Sequence, residues 1–158
     1  MKIRCLTYLL LLVMTLGLLF TSCDGDDGSS VQNIEGHWVY SGTKADVYAI
    51  DSVDQARIEN YIQNRTSDLK LSYEFKNDKT YYYYQSLEEP MKGIVKPIDK
   101  EYFIMDDAKG KKTLAAQDSL IYVVSDLKEE IVRELEIDER RLVKALAVDT
   151  FTRGLYVE

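Results

Sequence analysis

Leu69-Lys70-Leu71-Ser72-Tyr73-Glu74-Phe75-Lys76-Asn77-Asp78-Lys79-Thr80-Tyr81-Tyr82-Tyr83-Tyr84-Gln85 is the stretch that decides the fold. Leu69, Leu71, Tyr73 and Phe75 alternate with Lys70, Ser72, Glu74 and Lys76, giving one apolar and one wet face at the period of a half-buried strand. Asn77-Asp78 is a two-residue hairpin signal, and Lys79 to Gln85 resumes as a strand rich in Thr and Tyr. Alternation sends two of the four consecutive tyrosines to each face. One pair suits a core. The other stays outside beside Lys79, where cross-strand packing or contact with a sugar or a partner protein would occupy it.

The same period recurs on both sides. His37 to Ser41, Gly93 to Ile98, Glu101 to Met105, Thr113 to Gln117 and Leu120 to Val124 are further strand candidates. Ile131 to Ile137 and Val143 to Thr152 complete the set. Short breaks at Asp99-Lys100, Asp106 to Lys111, Ser125 to Glu130 and Asp138 to Arg141 predict an all-β sandwich or up-and-down barrel. Asp51 to Thr66 departs from the pattern. Ser52-x-x-Gln55 reads as a capping box, and Ile58, Tyr61 and Ile62 share a helical face. The stretch from Leu127 to Leu146 has two readings. Its Glu, Leu, Arg and Lys content favours helix, whereas Ile131, Leu135 and Ile137 against Val132, Glu134, Glu136 and Asp138 favour two strands, the preferred reading.

The N-terminus is an address. Lys2 and Arg4 precede an apolar run from Leu6 to Phe20, the pattern of a secretory signal and shorter than the roughly 20 residues that span a bilayer. Leu19-Phe20-Thr21-Ser22-Cys23 resembles the lipobox of bacterial lipoproteins, with Phe20 replacing the usual Leu. The resemblance implies a signal peptide over residues 1–22, cleavage after Ser22, diacylglycerol on Cys23 and N-acylation in a Gram-negative host. Several acyl chains at roughly 0.8 kcal/mol per buried methylene anchor durably. Residues 23–33 then form an acylated cysteine and a flexible tether, Asp24-Gly25-Asp26-Asp27-Gly28-Ser29-Ser30 lacking apolar residues. Ten such residues reach about 17 Å. Gly28 at the third ligand position spoils a calcium loop. The acidic cluster also resembles the export signal of surface-displayed lipoproteins. In other bacterial groups an Asp directly after the cysteine signals inner-membrane retention.

Of 158 residues, 20 are Lys or Arg and 27 are Asp or Glu. Losing Lys2 and Arg4 with the signal takes the formal charge from −7 to −9. That balance argues against a nucleic-acid partner. With Cys5 in the discarded signal, the mature chain has one histidine and no cysteine beyond the lipid attachment point. This scarcity argues against most zinc sites, disulfide frameworks and histidine-based triads, so neither cofactor, metal nor enzymatic activity is expected. His37 reads as surface or rim. Glu88-Glu89, Asp106-Asp107 and Glu129-Glu130 read as solvated charge, since adjacency does not supply two carboxylates facing across a cleft. Asp51-Ser52-Val53 and Asp118-Ser119-Leu120 match a short O-glycosylation signal, and Ser52 is equally a helix N-cap.

Gly36-His37-Trp38 at the first strand and Phe151-Thr152-Arg153 near the last resemble the lipocalin-like proteins. Phe75-Lys-Asn-Asp78-Lys-Thr80-Tyr81 is similar to the F-x-x-D-G-T-Y hairpin of small bacterial lipocalin-like lipoproteins, with Lys79 where Gly is usual. The resemblance covers residues 34–158. It implies an antiparallel up-and-down barrel of about eight strands with a short lid helix at its open mouth. Its floor would be closed by Gly36 and Trp38, with Arg153 stacked on the indole. Leu71, Tyr73, Phe75, Tyr81 and Tyr83 are the candidate lining residues, as pocket or as filled core.

The expectation is a membrane-attached binding protein of the outer membrane, exposed at the cell surface in some hosts, taking a small apolar or amphipathic ligand or a sugar. The alternative is a solid barrel whose outer tyrosine face or acidic surface engages a glycan or a basic protein, the latter steered by charge.

Overall fold

The alternating stretch folds as a hairpin. In a computed structural model describing residues 33–66, 69–86, 88–117 and 119–154, Tyr73 pairs with Tyr83 and Phe75 with Tyr81 across two antiparallel strands. Residues 1–22, Cys23 and the tether up to residue 32 lie outside the described residues. The hairpin turn is held by the Asp78 carboxylate, which accepts from the Thr80 amide at 3.0 Å and hydroxyl at 2.6 Å. Lys79 stands at φ +64°, the left-handed region where glycine is usual.

In chain order the strands are β1 (Gly36–Ala49), β2 (Leu71–Phe75), β3 (Thr80–Gln85), β4 (Met91–Pro97), β5 (Tyr102–Asp107), β6 (Gly110–Gln117), β7 (Leu120–Asp126) and β8 (Leu142–Arg153). Each pairs antiparallel with the next and β8 returns to β1, closing an eight-stranded, up-and-down, lipocalin-like barrel. Closure removes the free edges of the ring itself, while the outer ends of β1 and β8 run on past it.

Among the described residues two α-helices accompany the sheet, α1 (Ser52–Asn64) and α2 (Lys128–Glu134). The cap of α1 is Asp51 rather than Ser52: its carboxylate accepts from the Val53 and Asp54 amides at 2.9 and 3.1 Å. Those amide bonds hold the Asp51 carboxyl below the usual range. Gln55 does not reach back to close a capping box and instead donates to Glu59.

The preferred reading of 127–146 as two strands is overturned. Ile131 lies in α2, Ile137 in the connection after it, and only the second strand exists, as β8. The reason is topological. β7 pairs directly with β8 from Leu120–Thr152 to Asp126–Leu146, so the ring closes at eight and no slot remains for another strand. Glu129 and Glu130 in the first turn and Arg133 in the last suit the helix dipole. Glu136 at φ +54° ends the helix without the usual glycine, which hid the boundary.

β1 also runs past the expected Ser41. After a bulge at Ser41, residues Gly42–Ala49 pair only with β8, and their ends form a two-stranded ribbon beyond the β7 register. Ile58 and Ile62 of α1 and Ile131 of α2 pack against this ribbon with Leu127, Ile137, Leu142, Ala145 and Ala147. The small side chains of Ala45, Ala145 and Ala147 let the helices approach closely. A second, larger core fills the barrel around Trp38, Tyr73, Phe75, Tyr81, Phe103, Leu114 and Phe151. Each such ring, fully buried, contributes about 1.5–3 kcal/mol.

Candidate functional site

At the end of the barrel where β1 starts, Trp38 and Arg153 close off the core, and outside them lies a hollow of about 640 Å³ bordered by Asn33, Lys100, Glu101, Gln117 and Leu120. Arg153 lies over the Trp38 ring at 4.5 Å, and the indole N–H donates to the Ile34 carbonyl at 2.7 Å. The Arg153 guanidinium also donates to the carbonyls of Glu35 and Asn33 at 2.9 and 2.7 Å. Gly36 makes that turn at φ +109°, a conformation reserved for glycine. His37 faces outward, half-buried, with Nε2 3.1 Å from Glu74 Oε1. Glu74 also takes the Lys76 ammonium and, at 3.0 Å, the Tyr84 hydroxyl. Burial pushes Glu74 upward, but Lys76, Tyr84 and His37 outweigh it and hold the carboxyl below its usual range.

The opposite end is open. There a cavity of about 380 Å³ lies between the barrel core, Arg65 and Thr66 just past α1, and Glu130 of α2. No residue of α1 itself lines it, so the expected lid helix packs beside the mouth on the β1–β8 ribbon. Leu71, Tyr73 and Tyr83 of the candidate set line it, together with Leu69 and Phe151. Phe75 and Tyr81 do not: both are fully buried in the core below, within 5.7 Å of Tyr73. Packing fills the lower barrel and stops short of the mouth.

The upper wall is polar, which the alternation did not foretell. Arg65, just past the end of α1, reaches Asp149 of β8 at 3.4 Å, and Asp149 accepts from the Thr43 hydroxyl at 2.6 Å. Thr43, Thr66 and Tyr40 share a ring of hydroxyl contacts of 2.7–3.1 Å. On the facing wall the Lys109 and Lys112 ammonium groups stand 5.6 and 5.5 Å from the Tyr83 ring centroid. Burial pulls Lys112 below the ordinary lysine range, although Asp107 opposes it. Burial, with Asp149 nearby, pushes the Tyr83 phenol up to about 12. It also raises Tyr73 well above its usual value.

Two of the acid pairs are therefore not plain solvated charge. The Asp107 side chain is fully buried, accepting from Tyr81 at 2.7 Å and from the Lys109 amide at 2.7 Å. Glu130 lines the cavity and takes the Tyr61 hydroxyl at 3.0 Å. Glu88 and Glu89 are exposed. Of the residues that went unselected, Asp149 carried a legible signal: it is a charge at an inward position between Ala147 and Phe151. Arg65 carried none, since a basic residue after a helix is ordinary.

Tyr82 and Tyr84 point outward and are half-buried. Lys92 stands 5.8 Å from the Tyr82 ring, and Tyr84 is bonded to Glu74, so both outer tyrosines pack across the sheet. No protein-family model matches the sequence, and no curated protein matches it either.

Proposed function

We propose that this protein is a lipid-anchored binding barrel of the cell envelope that takes a small amphipathic ligand into its mouth. The cavity of about 380 Å³ carries this reading. An eight-stranded barrel is just wide enough for packed side chains or one small ligand, and here the side chains leave room. Leu69 and Tyr83, half-buried, offer apolar surface, with only the edges of Leu71, Tyr73 and Phe151 reaching the cavity, while Arg65, Lys112 and Asp149 offer charge. That mixture suits an amphipathic molecule better than a wholly apolar one.

The lipobox-like segment ending at Cys23 supports anchoring, and the −9 balance supports a life outside nucleic-acid chemistry. Asn33 is held by Arg153 at the end where β1 starts, so a tether of about 17 Å would leave from there and free the mouth to face away from the membrane. The test uses the mature chain with Cys23→Ser, titrated with anilinonaphthalene sulfonate. Saturable fluorescence that Leu71→Trp abolishes, with circular dichroism unchanged, supports the reading. Equal dye binding by both proteins overturns it.

A second reading, an interaction module using its outer surface, is favoured by Ile94, Ile98, Tyr102 and Ile104. Ile94 of β4, Ile98 just past its end, and Tyr102 and Ile104 of β5 are exposed apolar side chains on that side of the barrel, with Lys96 among them. Ile94→Lys with Ile104→Lys would abolish its task in the host under that reading and leave dye uptake unchanged under the first.

A further inference from the structure

The cavity wall is unequal in its unmet hydrogen-bonding capacity. Among the described residues, every carboxylate around it already has a donor. Asp149 has Thr43 and Arg65, Glu130 has Tyr61, Asp126 has the Lys128 amide at 2.9 Å, and Asp107 has Tyr81. The cations are less well served. Arg65 Nε is buried with no partner. The nearest carboxylate oxygen to Lys112 Nζ among the described residues is that of Asp107 at 3.9 Å, beyond hydrogen-bond distance. Among the described residues neither Lys109 nor Lys111 forms an ion pair. What is left over at the mouth is donor capacity, although the chain as a whole is acidic.

An orphaned buried N–H and a desolvated ammonium are costly alone and gain most from a charged acceptor. The apolar edges of Leu71, Tyr73 and Phe151 lie below them, toward the filled core. Asp149 and Glu130 share the cavity, so each further negative charge on a ligand meets repulsion. One charge is therefore preferred to two. We infer that the ligand is an amphipathic carboxylate, its head group held by Arg65 and Lys112 and its apolar body laid over Leu69 and Tyr83, against the edges of Leu71, Tyr73 and Phe151. This rests on the cavity being a ligand site, as proposed above, and adds the chemical class.

Three probes with the same tail and different heads separate the possibilities: decanoate, decanol and decyltrimethylammonium. Each is titrated calorimetrically into the mature chain carrying Cys23→Ser. Decanoate binding about tenfold or more tighter than the other two supports the inference, a margin typical of a charge-assisted contact. Lys112→Gln and Arg65→Gln should each weaken decanoate by about tenfold while leaving decanol unchanged, with circular dichroism confirming the fold. Decanol or decyltrimethylammonium matching decanoate overturns the carboxylate class but keeps the cavity as a site. Binding of none of the three overturns the cavity reading itself.

Discussion

The ring of Tyr81 lies over Gly93 of the neighbouring strand, so close that a Cβ on Gly93 would stand 2.4 Å from Tyr81 Cζ and 2.5 Å from its hydroxyl. From there the hydroxyl reaches Asp107, one strand further, at 2.7 Å. Glycine at 93 thus lets one phenol cover the sheet and bury a carboxylate with its hydrogen bond made. That contact is the roof of the filled core, above which the cavity begins.

Gly93→Ala should destabilise the fold by about 1–3 kcal/mol, the usual cost of forcing atoms into a packed core. Urea unfolding measures it. In a Tyr81→Leu background the same change should cost much less, because the clashing ring is gone. Equal losses in both backgrounds would contradict the packing described.

Two backbone positions with positive φ should respond in opposite directions. Gly36→Ala places a Cβ at φ +109° beside Arg153 and should lose about 1–3 kcal/mol. Lys79→Gly relieves φ +64° in the hairpin turn and should be neutral or stabilising by up to about 1 kcal/mol. Thermal unfolding of both variants checks the pair.

The hairpin was legible because its information is local. Alternation over Leu69–Phe75, the Asn77-Asp78 turn and the tyrosine run need no distant partner to be read, and they fold as β2 and β3. The helix at Lys128–Glu134 showed in its Glu, Lys and Arg content but could not be chosen over a strand, because what excludes a strand there is the direct pairing of β7 with β8, a contact set by barrel closure. The outer half of β1 failed for a related reason. Ser41-Gly42-Thr43-Lys44 has no apolar alternation and is extended only because β8 pairs with it. In the cavity, the inward rings of Tyr73 and Tyr83 followed from period two. The charge on the wall did not, since Arg65 meets Asp149 only after a helix and a barrel have formed.

Acid should act through Glu74. Its folded-state pKa lies below the free value of 4.5, so its contribution is fully present above about pH 4.5 and is lost as pH falls through the folded value. Glu74→Gln should lower stability at neutral pH and flatten its fall on acidification. Chemical denaturation across that window measures both, and an unchanged acid slope would show that His37, Lys76 and Tyr84 do not act on this carboxylate.

Lipid attachment is tested at one residue. Cys23→Ser should move the protein from the membrane fraction to the soluble envelope fraction of its host. Unchanged membrane association would refute acylation at Cys23 as the anchor.

The central claim, that the cavity at the open end of the barrel holds a small ligand, is tested most directly by native mass spectrometry of the protein purified from its own host. The account predicts a discrete extra mass on the folded protein that is released on unfolding and is absent from Leu71→Trp. Bare protein mass in the native spectrum, identical for both proteins, would contradict it.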